Sequence, residues 1–224
     1  MEPSTRPMRT GMLASELVER GHSIVWWSST LSHQRKTLLY EKDTILQVKP
    51  GFELSLIHAG RYQNNISLRR YFHDLLLARK FAKIAKEESV PDVTVSAFPT
   101  IDLAYQAVCY AKKNGVPIIV DVRNLWPDTF IDKTPKFLRP LARVFLIQDF
   151  LRTKEVFRNA NSQTAISKGC LMWGLRYAER HENDNDKIFS TGYPEESNGQ
   201  HEMSEQIKKA LDDSHLIQTA TKKC

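Results

Sequence analysis

The sequence predicts an α/β domain built on a doubly wound parallel sheet, and three observations carry that prediction. Residues 90–123 read as strand, helix, strand, the βαβ unit that requires a parallel pairing. Ile118-Ile119-Val120 is an almost wholly apolar run, as expected of a parallel strand covered on both faces. Strand-like and helical segments then alternate along the chain to about residue 194. A chain of 224 residues, 41% of them hydrophobic, can build a sizeable core without a metal or disulfide.

Taken in order, residues 8–20 have helical spacing and stop at Gly21-His22, and Ile24-Val25-Trp26-Trp27 follows as a strand. Thr44–Val48 and Leu54–Ile57 are two short strands separated by Pro50-Gly51. Ser67 is placed to cap a long helix over 67–88. Around that helix Leu68, Tyr71, Phe72, Leu75, Ala78 and Ala82 fall on one side, the expected core face. Arg69, His73, Lys80 and Lys83 form a basic stripe elsewhere, flanked by Leu77, Phe81 and Ile84. Val93–Ala97 is the next strand. Pro99-Thr100 opens a helix that ends at Asn114-Gly115, where glycine supplies the left-handed residue. After the 118–120 strand the spacing predicts one helix from about Pro140 to Asn161, with Pro140 in its first turn. Gln163–Ile166 reads as a strand, Ser167–Ala178 as a helix, and Lys187–Phe189 as a last short strand before Gly192-Tyr193-Pro194. Residues 195–202 read as a polar linker and 203–212 as a short helix.

Lys and Arg number 32 against 26 Asp and Glu, a net charge of +6 that permits an anionic partner without choosing one. No aromatic–basic recognition motif supports nucleic acid. No apolar run is long enough to cross a bilayer, and the N-terminus lacks the ordered regions of a signal peptide, so a soluble cytosolic chain is expected. Cys109, Cys170 and Cys224 include no CxxC pair, which leaves a zinc or dithiol site unsupported, and Cys109 is expected in or near the core. Neither GxGxxG nor GxxxxGK[ST] occurs.

Ligands of open α/β sheets gather beyond the carboxyl ends of the strands, and three segments fall there. Arg6–Gly11 opens the first helix, where free amides and the dipole favour an anion and Gly11 admits a close approach; Thr10 as a plain cap is the alternative. Asp102 lies in the first turn after the Val93–Ala97 strand, where a carboxylate stabilises the helix whether or not it binds anything. Asp121 and Arg123, two apart on extended chain, share one face, and Trp126 beside them offers a flat surface suited to a sugar ring. They are either a site or an ion pair closing the sheet end. The basic stripe Arg69, Lys80, Lys83, together with basic residues at 136–158, suits an anionic membrane surface or is simply solvated.

The segments EPSTRPMRTGMLASELVERGHSIVWWSS, GRYQNNISLRRYFHDLLLARKFA, SAFPTIDLAYQAVCYAKKNGVPIIVDVRNLWPD and FSTGYP, in this order, resemble the N-terminal half of bacterial family 4 glycosyltransferases, the enzymes that build O-antigen, capsule and exopolysaccharide units. The resemblance spans about residues 2–194. It implies a Rossmann-like doubly wound parallel sheet forming one half of a GT-B fold, with residues 1–194 as the N-terminal domain and 195–224 as a linker and the start of a second domain. It further implies retaining transfer of a sugar from a nucleotide-sugar, with no metal or cofactor, to a lipid-linked or glycan acceptor at the inner membrane face. A chain of this kind without a donor domain would be a binding module or remnant with no turnover. The resemblance assigns Asp121 and Arg123 to the reaction centre and Arg9, Thr10, Gly11, Tyr62, Asp102 and Trp126 to the acceptor side. The usual pattern Asp-x-Arg-Asp-Leu-Trp-Pro is departed from at Asn124, which removes one charge. It also implies that the family's central first strand precedes Met1 and that the first strand of the donor domain begins near Asp213–Ile217. Two strands would then be left with unpaired backbone groups at the centre of the sheet, making the chain marginal, aggregation-prone or rearranged.

Overall fold

The structure is a computed structural model and describes residues 9–33, 35–64, 67–190 and 217–222. It is a Rossmann-like α/β fold. Helix α1 (Arg9–Glu19) leads into β1 (His22–Ser29), and β2 (Thr44–Lys49) and β3 (Phe52–Ile57) follow as a tight pair around Gly51, whose φ of 79° only glycine adopts freely. Next come α2 (Leu68–Ile84), β4 (Val93–Phe98), α3 (Ile101–Asn114) and β5 (Ile118–Val122). The remainder is α4 (Asp128–Lys133), a 3-10 turn (Lys136–Leu138), α5 (Arg139–Phe145), α6 (Ile147–Asn159), β6 (Ser162–Ala165), α7 (Lys168–Ala178), β7 (Lys187–Ile188) and β8 (Ile217–Lys222). The strand order is β2-β3-β1-β8-β4-β5-β6-β7. The β4-β5-β6-β7 half is parallel throughout, as is the β1–β3 pair, while β2 runs antiparallel at one edge.

Alternating strand residues feed two cores. On one face Ala14 of α1 packs with Ile24, Trp26, Phe52, Leu54 and Leu56. The other face is larger and lies under α2, α3, α6 and α7. There Trp27 meets Phe81 edge-on at 5.4 Å between centroids, and Phe98, Phe157 and Trp173 form a triangle with centroids 5.0–5.7 Å apart. Each such ring contributes roughly 1.5–3 kcal/mol through burial alone, so these aromatics fix how the helices seat on the sheet.

The centre of the sheet departs from expectation. No pair of strands is left open between β1 and β4: Ile217–Lys222 lies there, antiparallel to both, pairing residues 217–222 with Trp27–His22 and residues 217–220 with Ser96–Val93. The strand expected to begin at 213–217 therefore belongs to this sheet from Ile217 onward. The linker at 195–202, the helix at 203–212, the Gly192-Tyr193-Pro194 turn, Arg6–Met8 and Cys224 lie outside the described residues.

Three further expectations are corrected. The buried face of α2 is His73, Leu77, Ala78 and Phe81, whereas Leu68, Tyr71 and Phe72 point outward, Phe72 at 63% exposure. This helix is apolar on most of its circumference, so spacing alone could not choose the face; His73 is admitted to the interior because both ring nitrogens find partners. The single helix expected from Pro140 to Asn161 is two helices, broken at Leu146 (φ −95°, ψ 12°), and α4 precedes them. Cys109 is exposed on α3, not in the core.

Candidate functional site

At the carboxyl ends of β5 and β6, Asp121 is the hub of a charged cluster. It is 4% exposed. Arg9, from the first turn of α1, donates to both its oxygens, Nη2 to Oδ1 at 3.0 Å and Nε to Oδ2 at 3.2 Å. Arg123 Nε donates to Oδ2 at 2.7 Å and the Thr164 hydroxyl to Oδ1 at 2.7 Å. Arg9 also donates to the Phe189 carbonyl beyond β7. Burial by itself would raise the Asp121 pKa, but the Arg123 charge, the Thr164 hydrogen bond and Arg9 together hold it below the ordinary carboxylate range. A carboxylate so saturated is a poor base. Its chemical part is to position two guanidiniums at the sheet end, and Arg123 keeps Nη1 and Nη2 without a hydrogen-bond partner among the described residues.

A second group gathers at the N-termini of α3 and α6. Asp102 is buried and ion-paired with Arg152, which also lies over the Tyr105 ring. Asp149 accepts from the Trp126 indole nitrogen at 3.4 Å. Burial, aided by the neighbouring Asp149 and Asp74 carboxylates, outweighs Arg152 and pushes Asp102 up to about 6. Burial raises Asp149 as well, against the Trp126 hydrogen bond and the Arg152 charge. A carboxyl group tuned towards neutrality at a sheet end is suited to hold or release a proton.

The third group was not foreseen. Ser29, at the end of β1, meets His73 Nε2 at 3.0 Å, and His73 Nδ1 meets Asp74 Oδ1 at 3.0 Å. Because a carboxylate only accepts, Nδ1 carries the proton and Nε2 receives the Ser29 hydroxyl. The Leu31 amide donates to the same Ser29 oxygen, and no second amide faces it among the described residues, so the relay pins the β1 loop rather than arming a nucleophile. Tyr62 stacks edge-on against His73 at 5.0 Å and meets His33 Nδ1 through its hydroxyl at 2.5 Å. Burial and the Asp74 charge push the Tyr62 hydroxyl up to about 12.

Of the residues the sequence proposed, Arg9, Asp121 and Arg123 are brought into direct contact, and Asp102 and Trp126 border the second group. Tyr62 is walled in, with Lys36 Nζ 4.8 Å from its ring centroid. Thr10 is buried inside the first turn of α1. Gly11 faces Trp26, whose ring lies 3.7 Å from where a Cβ would stand, an ordinary van der Waals contact. Lys80 is tied to Asp43 at 2.9 and 3.0 Å and is not an open cation, while Arg69 and Lys83 are exposed. Asn124 is exposed at the rim. Sequence reasoning missed Thr164, Asp149, Arg152 and the Ser29–His73–Asp74 group; Ser29 ends a strand and Thr164 lies within one, whereas Asp149, Arg152, His73 and Asp74 lie on helices, where no local pattern flags them. Among the described residues, no group of three or more His, Cys, Asp or Glu is arranged to hold a metal ion, and no helix is long and apolar enough to cross a membrane.

No protein-family model matches the chain, and no curated protein matches it.

Proposed function

We propose that this chain is the acceptor-binding half of a retaining glycosyltransferase that moves a sugar from a nucleotide-sugar to a lipid-linked glycan acceptor in cell-surface polysaccharide assembly. The observation that carries this reading is the Arg9–Asp121–Arg123 cluster at the sheet end, with Trp126 following on the same loop. Two guanidiniums fixed by one carboxylate suit the phosphate oxygens of a lipid diphosphate or the hydroxyls of its sugar. An indole beside them suits the apolar face of a pyranose ring. In a transfer reaction these groups would hold the acceptor hydroxyl in place and shield developing negative charge, a proximity effect with electrostatic support. Asp102, half-protonated near pH 6, would be a proton acceptor at the edge of the same loop cluster.

Titration calorimetry of the purified chain with short-chain polyprenyl-diphosphate sugars tests this. Arg123→Ala is expected to weaken binding about tenfold, the worth of one charge-assisted hydrogen-bond pair, without changing the melting temperature of the chain by more than a few degrees. Equal affinity in Arg123→Ala, or no binding of any member of the panel, overturns it. A binding module without turnover is the second reading. It is favoured by the sheet being completed from the chain's own residues 217–222. Sugar transfer by the isolated chain from any nucleotide-sugar excludes that reading.

A further inference from the structure

Among the described residues, a run of exposed apolar side chains falls between Phe137 and Leu151. Neither the 3-10 turn Lys136–Leu138 nor α5 buries a single residue, although both are rich in apolar side chains. Phe137 is 81% exposed and Phe145 74%, and Leu141, Val144, Ile147 and Leu151 are each more than half exposed. One or two exposed apolar residues need no explanation; six, including two phenylalanines, along one short stretch do. The stretch Lys133–Ile147 also carries Lys133, Lys136, Arg139 and Arg143 and no acidic residue. Arg139 is folded back on the Thr134 and Asp132 carbonyls, whereas Lys133, Lys136 and Arg143 are exposed beside the apolar side chains.

Water penalises such a surface, and the local charge selects what covers it. An apolar ridge that carries four cations and no carboxylate between Lys133 and Ile147, with Asp132 and Asp149 flanking it, matches the boundary between acyl chains and anionic headgroups. The same ridge on a second copy would set four cations against four, which disfavours self-association. We propose that the Lys136–Phe145 ridge is a membrane-docking wedge, inserting Phe137, Leu141 and Phe145 at the acyl boundary of an anionic bilayer. The break at Leu146 gives the wedge its reach, because Leu146 itself is buried and anchors α5 to the domain while the turn before it projects. Within the basic stripe of α2, Lys80 is paired with Asp43, while Arg69 and Lys83 remain exposed.

Vesicle co-sedimentation of the full chain tests the wedge, comparing phosphatidylcholine vesicles with vesicles also containing phosphatidylglycerol. Binding is expected on the anionic vesicles only, with each well-placed cation worth about a fivefold gain in partition that fades as salt is raised. Phe137→Glu with Phe145→Glu should reduce partition at least tenfold while leaving the far-ultraviolet spectrum and melting temperature unchanged, since neither side chain packs against the core. Equal partition on both vesicle types, or a larger loss from Leu68→Glu with Phe72→Glu on α2, overturns the assignment. So does a vesicle-free dimer that the Phe137/Phe145 variant dissociates. Binding to vesicles needs neither donor nor acceptor sugar, so a negative result bears on this surface alone.

Discussion

Substituting Thr219 by proline attacks the sheet at its centre. Thr219 pairs with Val25 on one side and Thr94 on the other, and β8 as a whole aligns six residues with β1 and four with β4. Both ladders are internal, so the lost amide has no solvent edge to fall back on, and proline is tolerated essentially only on edge strands. Proline removes one donor and leaves its acceptor partner unpaired inside the sheet, a penalty of about 1–3 kcal/mol. For a domain of this size about 1 kcal/mol shifts the melting temperature by roughly 2–4 °C, so a fall of roughly 2–12 °C is expected. Complete loss of 217–224 would remove about ten ladder hydrogen bonds at a net 0.5–1.5 kcal/mol each, comparable with the whole stability of a domain, about 5–15 kcal/mol. Melting followed by circular dichroism supplies the shift. Hydrogen exchange at Val25–Trp27 and Thr94–Ser96 supplies the location, because those amides should lose protection first. A Thr219→Pro chain that melts within about 2 °C of the parent, with unchanged exchange at both strands, would refute a load-sharing central β8.

Asp102 makes stability pH-dependent in a direction opposite to that of most paired carboxylates. Its folded pKa is raised to about 6 from an ordinary 3.8, so the folded state holds a proton the unfolded chain has released; the stabilisation is full below about pH 4 and is lost as pH rises to about 6. Urea midpoints taken across that window should show Asp102→Asn flattening the decline, and an unchanged slope contradicts the raised pKa. Gly174→Ala tests the α7–β6 contact: a Cβ there would stand 2.3 Å from Gln163 Oε1 and 3.1 Å from a Phe157 ring carbon, so destabilisation of about 1–3 kcal/mol by overpacking is expected in chemical denaturation, and a neutral result would mean the Gln163 side chain yields freely.

The parts of the fold that were legible share one property: the information for them is local. Ser67 caps α2 by accepting from the Arg70 amide, Gly115 closes α3 at φ 67°, and the apolar run of β5 demands cover on both faces. Each is decided by a few neighbouring residues. The buried face of α2 was not legible because Leu68, Tyr71 and Phe72 are as apolar as Leu77 and Phe81; which set turns inward depends on Trp27 and Ser29, which lie 54 and 44 residues before the Phe81 and His73 they meet. Nor could spacing break the helix at Leu146, since the apolar residues on α5 continue the core pattern in sequence but face outward.

The same distinction governs the site. Asp121 and Arg123 could be paired on paper because two residues apart on a strand share a face, but the groups that set their chemistry come from afar: Arg9 across 112 positions and Thr164 across 43. The central strand is the extreme case. Ile-Gln-Thr-Ala-Thr-Lys alternates only weakly, lacks the continuous apolar run of a buried parallel strand, and carries no turn that would pair it with a neighbour. Nothing within those six residues calls for the middle of a sheet. What places them there is the demand of β1 and β4, whose inner edges would otherwise expose amides and carbonyls with no water to satisfy them, and any extended segment within reach meets it. A position filled by the need of its neighbours, and not by the pattern of its own residues, should be the one most sensitive to a substitution that removes a backbone donor and least sensitive to one that alters a side chain. Thr219→Pro and Thr219→Ser separate those two effects at a single residue.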